Sequence, residues 1–134
     1  MDPQRWQDWW NETGRSMPQA VDRALNRVEE GGEAADVEGA RACLSRCAWA
    51  SIDVVAEAAH AWLHSSDPRL RTDGFRLAAS ARLGGLADDV ASAFRFERHP
   101  DVWTAGLASA IALGAPTKGI ARPTEFVPDR RFDR

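Results

Sequence analysis

Glu57-x-x-His60-x-x-x-His64 is the best candidate metal constellation in this 134-residue chain. Separations of three and four put the three side chains on one face of a helix. Glu-x-x-His is the ligand pair of di-iron carboxylate bundles, which need a second such pair and further glutamates on facing helices. No second pair occurs here. The face is therefore expected to be a solvated polar surface, with His64 near a helix C-terminus, where a cationic imidazole is favoured. No metal and no cofactor is expected.

Nucleophilic chemistry has even less support. Cys43 and Cys47 sit four apart in a helical pattern. That is poor geometry for a disulfide, and two thiols are too few for a zinc site. Both are expected to be small buried residues. Cys43 has no histidine in its segment, and the chain has no Gly-x-Ser-x-Gly elbow and no phosphate-cradling glycine loop. Asp88-Asp89 follows Gly84-Gly85 at a helix start. The pair is expected to cap that helix and suit its dipole rather than share a proton in catalysis. No enzyme is expected.

Charge gives the next class of partner. The formal total is -3, too small to recommend a polyanion. Its distribution is uneven: residues 1–64 hold 6 basic and 11 acidic side chains, and residues 65–134 hold 11 and 9. The acidic first part suits a protein with basic patches. Arg69, Arg71, Arg76, Arg82, Arg95 and Arg98 cluster in sequence, but Asp67, Asp73, Asp88, Asp89 and Glu97 interleave them. Phosphate binding needs uncompensated cations, so nucleic acid is not expected. Neither is a membrane, because no apolar run approaches the ~20 residues of a span and Met-Asp-Pro-Gln-Arg-Trp is too polar for a secretory signal. A cytoplasmic protein is the expectation.

These residues must be positioned by helices. Asp2-Pro3 opens a first helix carrying Trp6, Trp9 and Trp10, which Gly14 is expected to end. Ser16 and Pro18 then open a second, with Val21, Leu25 and Val28 as its stripe and Gly31-Gly32 as its stop. An antiparallel helix pair over 1–32 follows. The most telling pattern lies further on, where Asp67-Pro68-Arg69-Leu70 running to Gly84 is echoed by His99-Pro100-Asp101-Val102 running to Gly114, 32 residues later at its start. A recurring proline-opened, glycine-closed helix marks stacked hairpins. Sliding that unit back by 33 predicts a turn near Trp49 to Ser51, splitting an otherwise unbroken helical stretch into about 36–49 and 52–64. The helix between the two proline-opened units is expected at about 87–97, with Val90, Ala91, Phe94 and Phe96 turned inward, and the last helix buries Val102, Trp103, Leu107, Ile111 and Leu113. Residues 117–134 read as an extended tail. The domain proper is 1–116.

The matching text, Asp67-Pro68-Arg69-Leu70-Arg71 with Leu83-Gly84 and Pro100-Asp101-Val102-Trp103 with Leu113-Gly114, resembles HEAT-like repeats over about residues 36–114. It departs from that pattern at Trp103, where a basic residue is usual, at Gly74 and Gly106 inside helices, and in the first unit, which lacks the proline. The resemblance implies an all-α, short right-handed α-solenoid of stacked hairpins that binds another protein on its concave face. HEAT-like hydroxylases carry His-Glu dipeptides, of which this chain has none. HEAT-like DNA-base glycosylases hold a duplex on a basic surface, which the interleaved arginines do not supply. Independently of the resemblance, each glycine inside a helix costs about 1 kcal/mol against alanine, so Gly74 and Gly106 predict close helix contacts.

The expected function is that of a non-catalytic protein-binding module. Its face is built from the second helices of the hairpins, with Asp53, Glu57, His60, Asp88, Asp89 and Arg95. Trp9 and Trp10 point about 100° apart, so one of them is a candidate partner-facing anchor; Trp49, Trp62 and Trp103 are expected in the core. A sharper form is an immunity protein that neutralises a basic bacterial toxin, in line with the small acidic-fronted domain and an Ala/Arg-rich composition typical of GC-rich bacteria. An adaptor for assembly of a larger complex is the alternative. The chain is expected to be a monomer, or a homodimer through the Trp6, Trp9 and Trp10 end.

Overall fold

The computed structural model describes the backbone of residues 3–120, 122 and 123, and the side chains of these except 6–16. Among the described residues, six helices appear in the order α1 Pro3–Glu30, α2 Ala34–Cys47, α3 Ile52–Leu63, α4 Pro68–Ser80, α5 Ala87–Arg95 and α6 Pro100–Ala112. Short 3-10 turns at Ala48–Ser51 and Gly84–Leu86 precede α3 and α5. The fold is all-helical, with no strand among the described residues. None of the described helices is long and apolar enough to cross a membrane. The chain forms two compact units, Met1–Val55 and Ala56–Arg134.

In the first unit, α1 packs against α2 and the Ala48–Ser51 turn. Val21, Ala24, Leu25 and Val28 recur at helical spacing and are buried, as are Val37, Ala40 and Leu44 of α2. The expected helix pair over 1–32 is instead the single helix α1, which runs through Gly14 and Ser16 and holds Pro18 in its interior. Glycine and proline weaken a helix by about 1 and 3 kcal/mol without forbidding it. Here the buried Val21–Val28 stripe holds the second half of α1 in place. The expected turn at Trp49 to Ser51 is present as the 3-10 segment that separates α2 from α3. Trp49 is not in the core: it is 56% exposed, and its indole N–H donates to the Arg46 carbonyl at 3.0 Å. The tighter 3-10 winding takes it off the helical stripe that predicted burial.

In the second unit, α6 packs against both α4 and α5. The two proline-opened helices correspond residue for residue across 32 positions. Each has 13 residues, and each is capped by the side chain before its proline: Arg69 N–H donates to Asp67 Oδ1 at 2.9 Å, and Asp101 N–H to His99 Nδ1 at 3.2 Å. Thr72 and Thr104 hydroxyls donate to the carbonyls of Pro68 and Pro100. At the far ends, Leu83 N–H reaches Ala78 O at 2.9 Å and Ala115 N–H reaches Ala110 O at 2.8 Å. These are matching Schellman-type closures. The left-handed residue that such a closure needs is Gly114 in α6, with φ 70°, but Arg82 in α4, with φ 53°. The expected stop at Gly84 therefore falls two residues late. Both interior glycines do mark close contacts. A Cβ on Gly74 would lie 2.9 Å from the Leu63 backbone nitrogen of α3, and one on Gly106 would lie 2.9 Å from Phe94 Cδ1 of α5.

Phe75, Phe94, Leu63, Val90 and Val102 form the fully buried centre of this unit, with Trp62 and Trp103 also buried. Phe96 and Ile111, both expected to turn inward, are 48% and 63% exposed. Phe96 lies just beyond the end of α5 at Arg95, and two residues past the buried Phe94 it falls away from the Val90, Ala93 and Phe94 stripe. Most of the expected tail, 121 and 124–134, lies outside the described residues.

Candidate functional site

The end of α3 and the start of α5 bring the chemically capable side chains of the second unit together. His60 lies in the last turn of α3 and His64 just past its final residue, Leu63. One helical turn apart, their rings meet edge to face with centroids 4.9 Å apart. Asp89 belongs to the first turn of α5, where a carboxylate suits the helix dipole. Its Oδ1 lies 3.6 Å from His60 Nε2, and one ligand atom from each of His60, His64 and Asp89 falls within 4.8 Å of the others. Glu57, which sequence spacing grouped with the two histidines, is exposed on α3 but is not a member of this group. Asp89 takes its place from another helix.

The remaining expected face residues are distributed as follows. Asp53 is exposed in the first turn of α3, Asp88 is exposed beside Asp89, and Arg95 is exposed at the end of α5. Asp88 and Asp89 are first-turn acids but not the cap, a position held by Leu86 without a side-chain hydrogen bond. The side chains of Trp9 and Trp10 lie outside the described residues. Among the described side chains of the named set, His60 and Asp89 are the pair in contact, at 3.6 Å.

The arginine cluster is altered by burial. Arg71 is 5% exposed and forms a two-pronged pair with the equally buried Glu97, Nε to Oε2 at 2.9 Å and NH2 to Oε1 at 3.1 Å. Its NH1 also donates to the carbonyls of Ser65 and Ser66, while Glu97 accepts from the backbone N–H groups of Arg98 and His99. Every strong group in this network is satisfied, and it joins the loop before α4 to the loop before α6. Arg69 lies 3.8 Å from both Asp67 and Asp73. Two of the six clustered arginines are thus engaged within the fold.

Cys43 and Cys47 are free and half-buried on α2 rather than fully buried. Partial burial pushes the Cys43 thiol above its ordinary range, and the charge and hydrogen bond of Cys47 push it further. A raised thiol holds less thiolate at neutral pH, which makes Cys43 a poor nucleophile. An open groove of about 600 Å³ runs between α4 and α6, lined by Phe75, Arg76, Asp101, Thr104 and the buried Ser109.

Sequence reasoning missed Trp49, Ile52 and Val54, which are 56%, 42% and 46% exposed within six residues of the first unit. The signal was available in the turn predicted there, which breaks the period that would bury them. No protein family, curated protein or solved structure matches this chain.

Proposed function

We propose that this chain is a non-catalytic protein-binding module of HEAT-like type, a short right-handed α-solenoid whose hairpins present a surface to a basic partner protein. The observation that carries the reading is the exposure of Trp49, Ile52 and Val54 around the turn between α2 and α3. A solvent-exposed tryptophan flanked by aliphatics is the side-chain type that supplies binding hot spots. Asp53 lies among them, and the acid surplus of residues 1–64 gives the charge that a basic protein would meet. The 32-residue correspondence of α4 and α6 supports the HEAT-like part of the reading. In its sharpest form the partner is a basic bacterial toxin and the chain its immunity protein.

The test is affinity capture of the full chain from its native cytosol, followed by titration of the purified partner. Trp49→Ala is expected to weaken that partner at least tenfold, and Asp53→Lys to slow association in a salt-dependent way. An affinity unchanged in both variants overturns the surface assignment. Capture of no stoichiometric protein overturns the binding-module reading.

A further inference from the structure

We propose that His60, His64 and Asp89 form a binding site for a divalent transition-metal ion of the zinc class. Two imidazoles and one carboxylate are a donor set that suits zinc, and magnesium and calcium prefer all-oxygen shells. In a tetrahedral zinc site, bonds of about 2.0–2.1 Å put neighbouring ligand atoms roughly 3.3 Å apart. His60 Nε2 and Asp89 Oδ1 are already 3.6 Å apart, and the whole set lies within 4.8 Å. The remaining closure falls on side chains that are free to turn: His60 and Asp89 are 51% and 38% exposed, and His64 is exposed. Small rotations of surface rotamers complete the site without moving a helix.

The end of α3 favours a cation through the negative end of its dipole, and the Asp89 carboxylate offsets the positive end of α5. Without metal, His60 and Asp89 make an exposed 3.6 Å contact of the kind worth little to stability. With it, the end of α3 is tied to the start of α5. Three protein donors leave a fourth position open to water or to a donor atom from outside the chain.

Isothermal titration of the metal-free full chain with zinc chloride tests the site. One zinc per chain is expected, with affinity lowered at least tenfold in each of His60→Gln, His64→Gln and Asp89→Asn, and unchanged in Glu57→Gln and in a Cys43→Ser/Cys47→Ser double variant. Circular dichroism confirms that each variant remains folded. Cobalt substitution gives an independent readout, the intense visible bands of a tetrahedral site, lost in His64→Gln. The proposal is overturned by any of four results: no saturable zinc binding, affinity unchanged in His64→Gln and Asp89→Asn, loss of zinc in the cysteine variant instead, or magnesium binding as tightly as zinc.

Discussion

α4 and α6 share length, caps and closing hydrogen bonds, yet they fill the same positions with different chemistry. Position 71 in α4 is an arginine and its counterpart 103 in α6 is a tryptophan, both buried. Arg71 has partners on all sides, whereas the Trp103 indole nitrogen is buried without a hydrogen bond and the ring packs against Phe94 with centroids 5.2 Å apart. Leu77 and Ser109 are a second such pair; the Ser109 hydroxyl is also unpartnered. The backbone frame is thus indifferent to whether a buried site is polar or apolar. What differs is how strongly each site depends on a particular partner.

Removing one side of a buried charge pair leaves the other uncompensated, a loss of about 3–5 kcal/mol. Arg71→Ala is therefore expected to have the largest effect of any single change in the second unit, read as a lower midpoint in urea unfolding. Trp103→Phe removes an orphaned donor and keeps most of the ring, so its cost is expected to stay within about 1.5 kcal/mol. Equal losses in the two variants would break the contrast between a satisfied ionic site and an apolar one.

The two interior glycines separate next. A methyl group at Gly74 meets backbone, Leu63 N at 2.9 Å and Trp62 C at 3.2 Å, whereas at Gly106 it meets the rings of Phe94 and Phe75. Rings can tilt by a few tenths of an ångström; helix backbone has to translate. Gly74→Ala is expected to cost about 2–3 kcal/mol after its gain in helix propensity, and Gly106→Ala about 1 kcal/mol, by thermal or urea unfolding. A Gly74→Ala protein as stable as the parent would show that α3 and α4 are free to separate there.

These cases also show why sequence carried some of the structure and not the rest. The proline-opened helix starts at Pro68 and Pro100, the break at Ala48–Ser51 and the tight contacts at Gly74 and Gly106 are local chemistry or periodic, and sequence reasoning reached each of them. The Arg71–Glu97 pair joins residues 26 apart, and nothing in their spacing distinguishes them from solvated surface charge. Asp89 meets His60 only because α5 follows α4 back to the end of α3. Glu57, closer in sequence, was the natural but wrong third member of that group. In α1 the error ran the other way: Gly14 is a genuine stop signal and Ser16 with Pro18 a genuine start signal, but local propensity is outweighed when Val21, Leu25 and Val28 are buried on one face.

The smallest difference between α4 and α6 is the one most directly open to correction by design. Both helices end on a left-handed residue, Arg82 with φ 53° and Gly114 with φ 70°. An L-residue with a Cβ costs about 1–2 kcal/mol in that conformation, a cost glycine escapes but partly returns through its greater freedom in the unfolded chain. Arg82 is exposed, so its side chain has little packing to lose. Arg82→Gly is therefore expected to raise stability by about 0.5–1 kcal/mol, and Gly114→Arg to lower it by a similar amount, measured as opposite shifts of the urea midpoint at unchanged slope. The double exchange should return close to the parent value if the two closures are energetically equivalent. A destabilised Arg82→Gly protein would show that the arginine side chain contributes more at the end of α4 than its strained backbone costs.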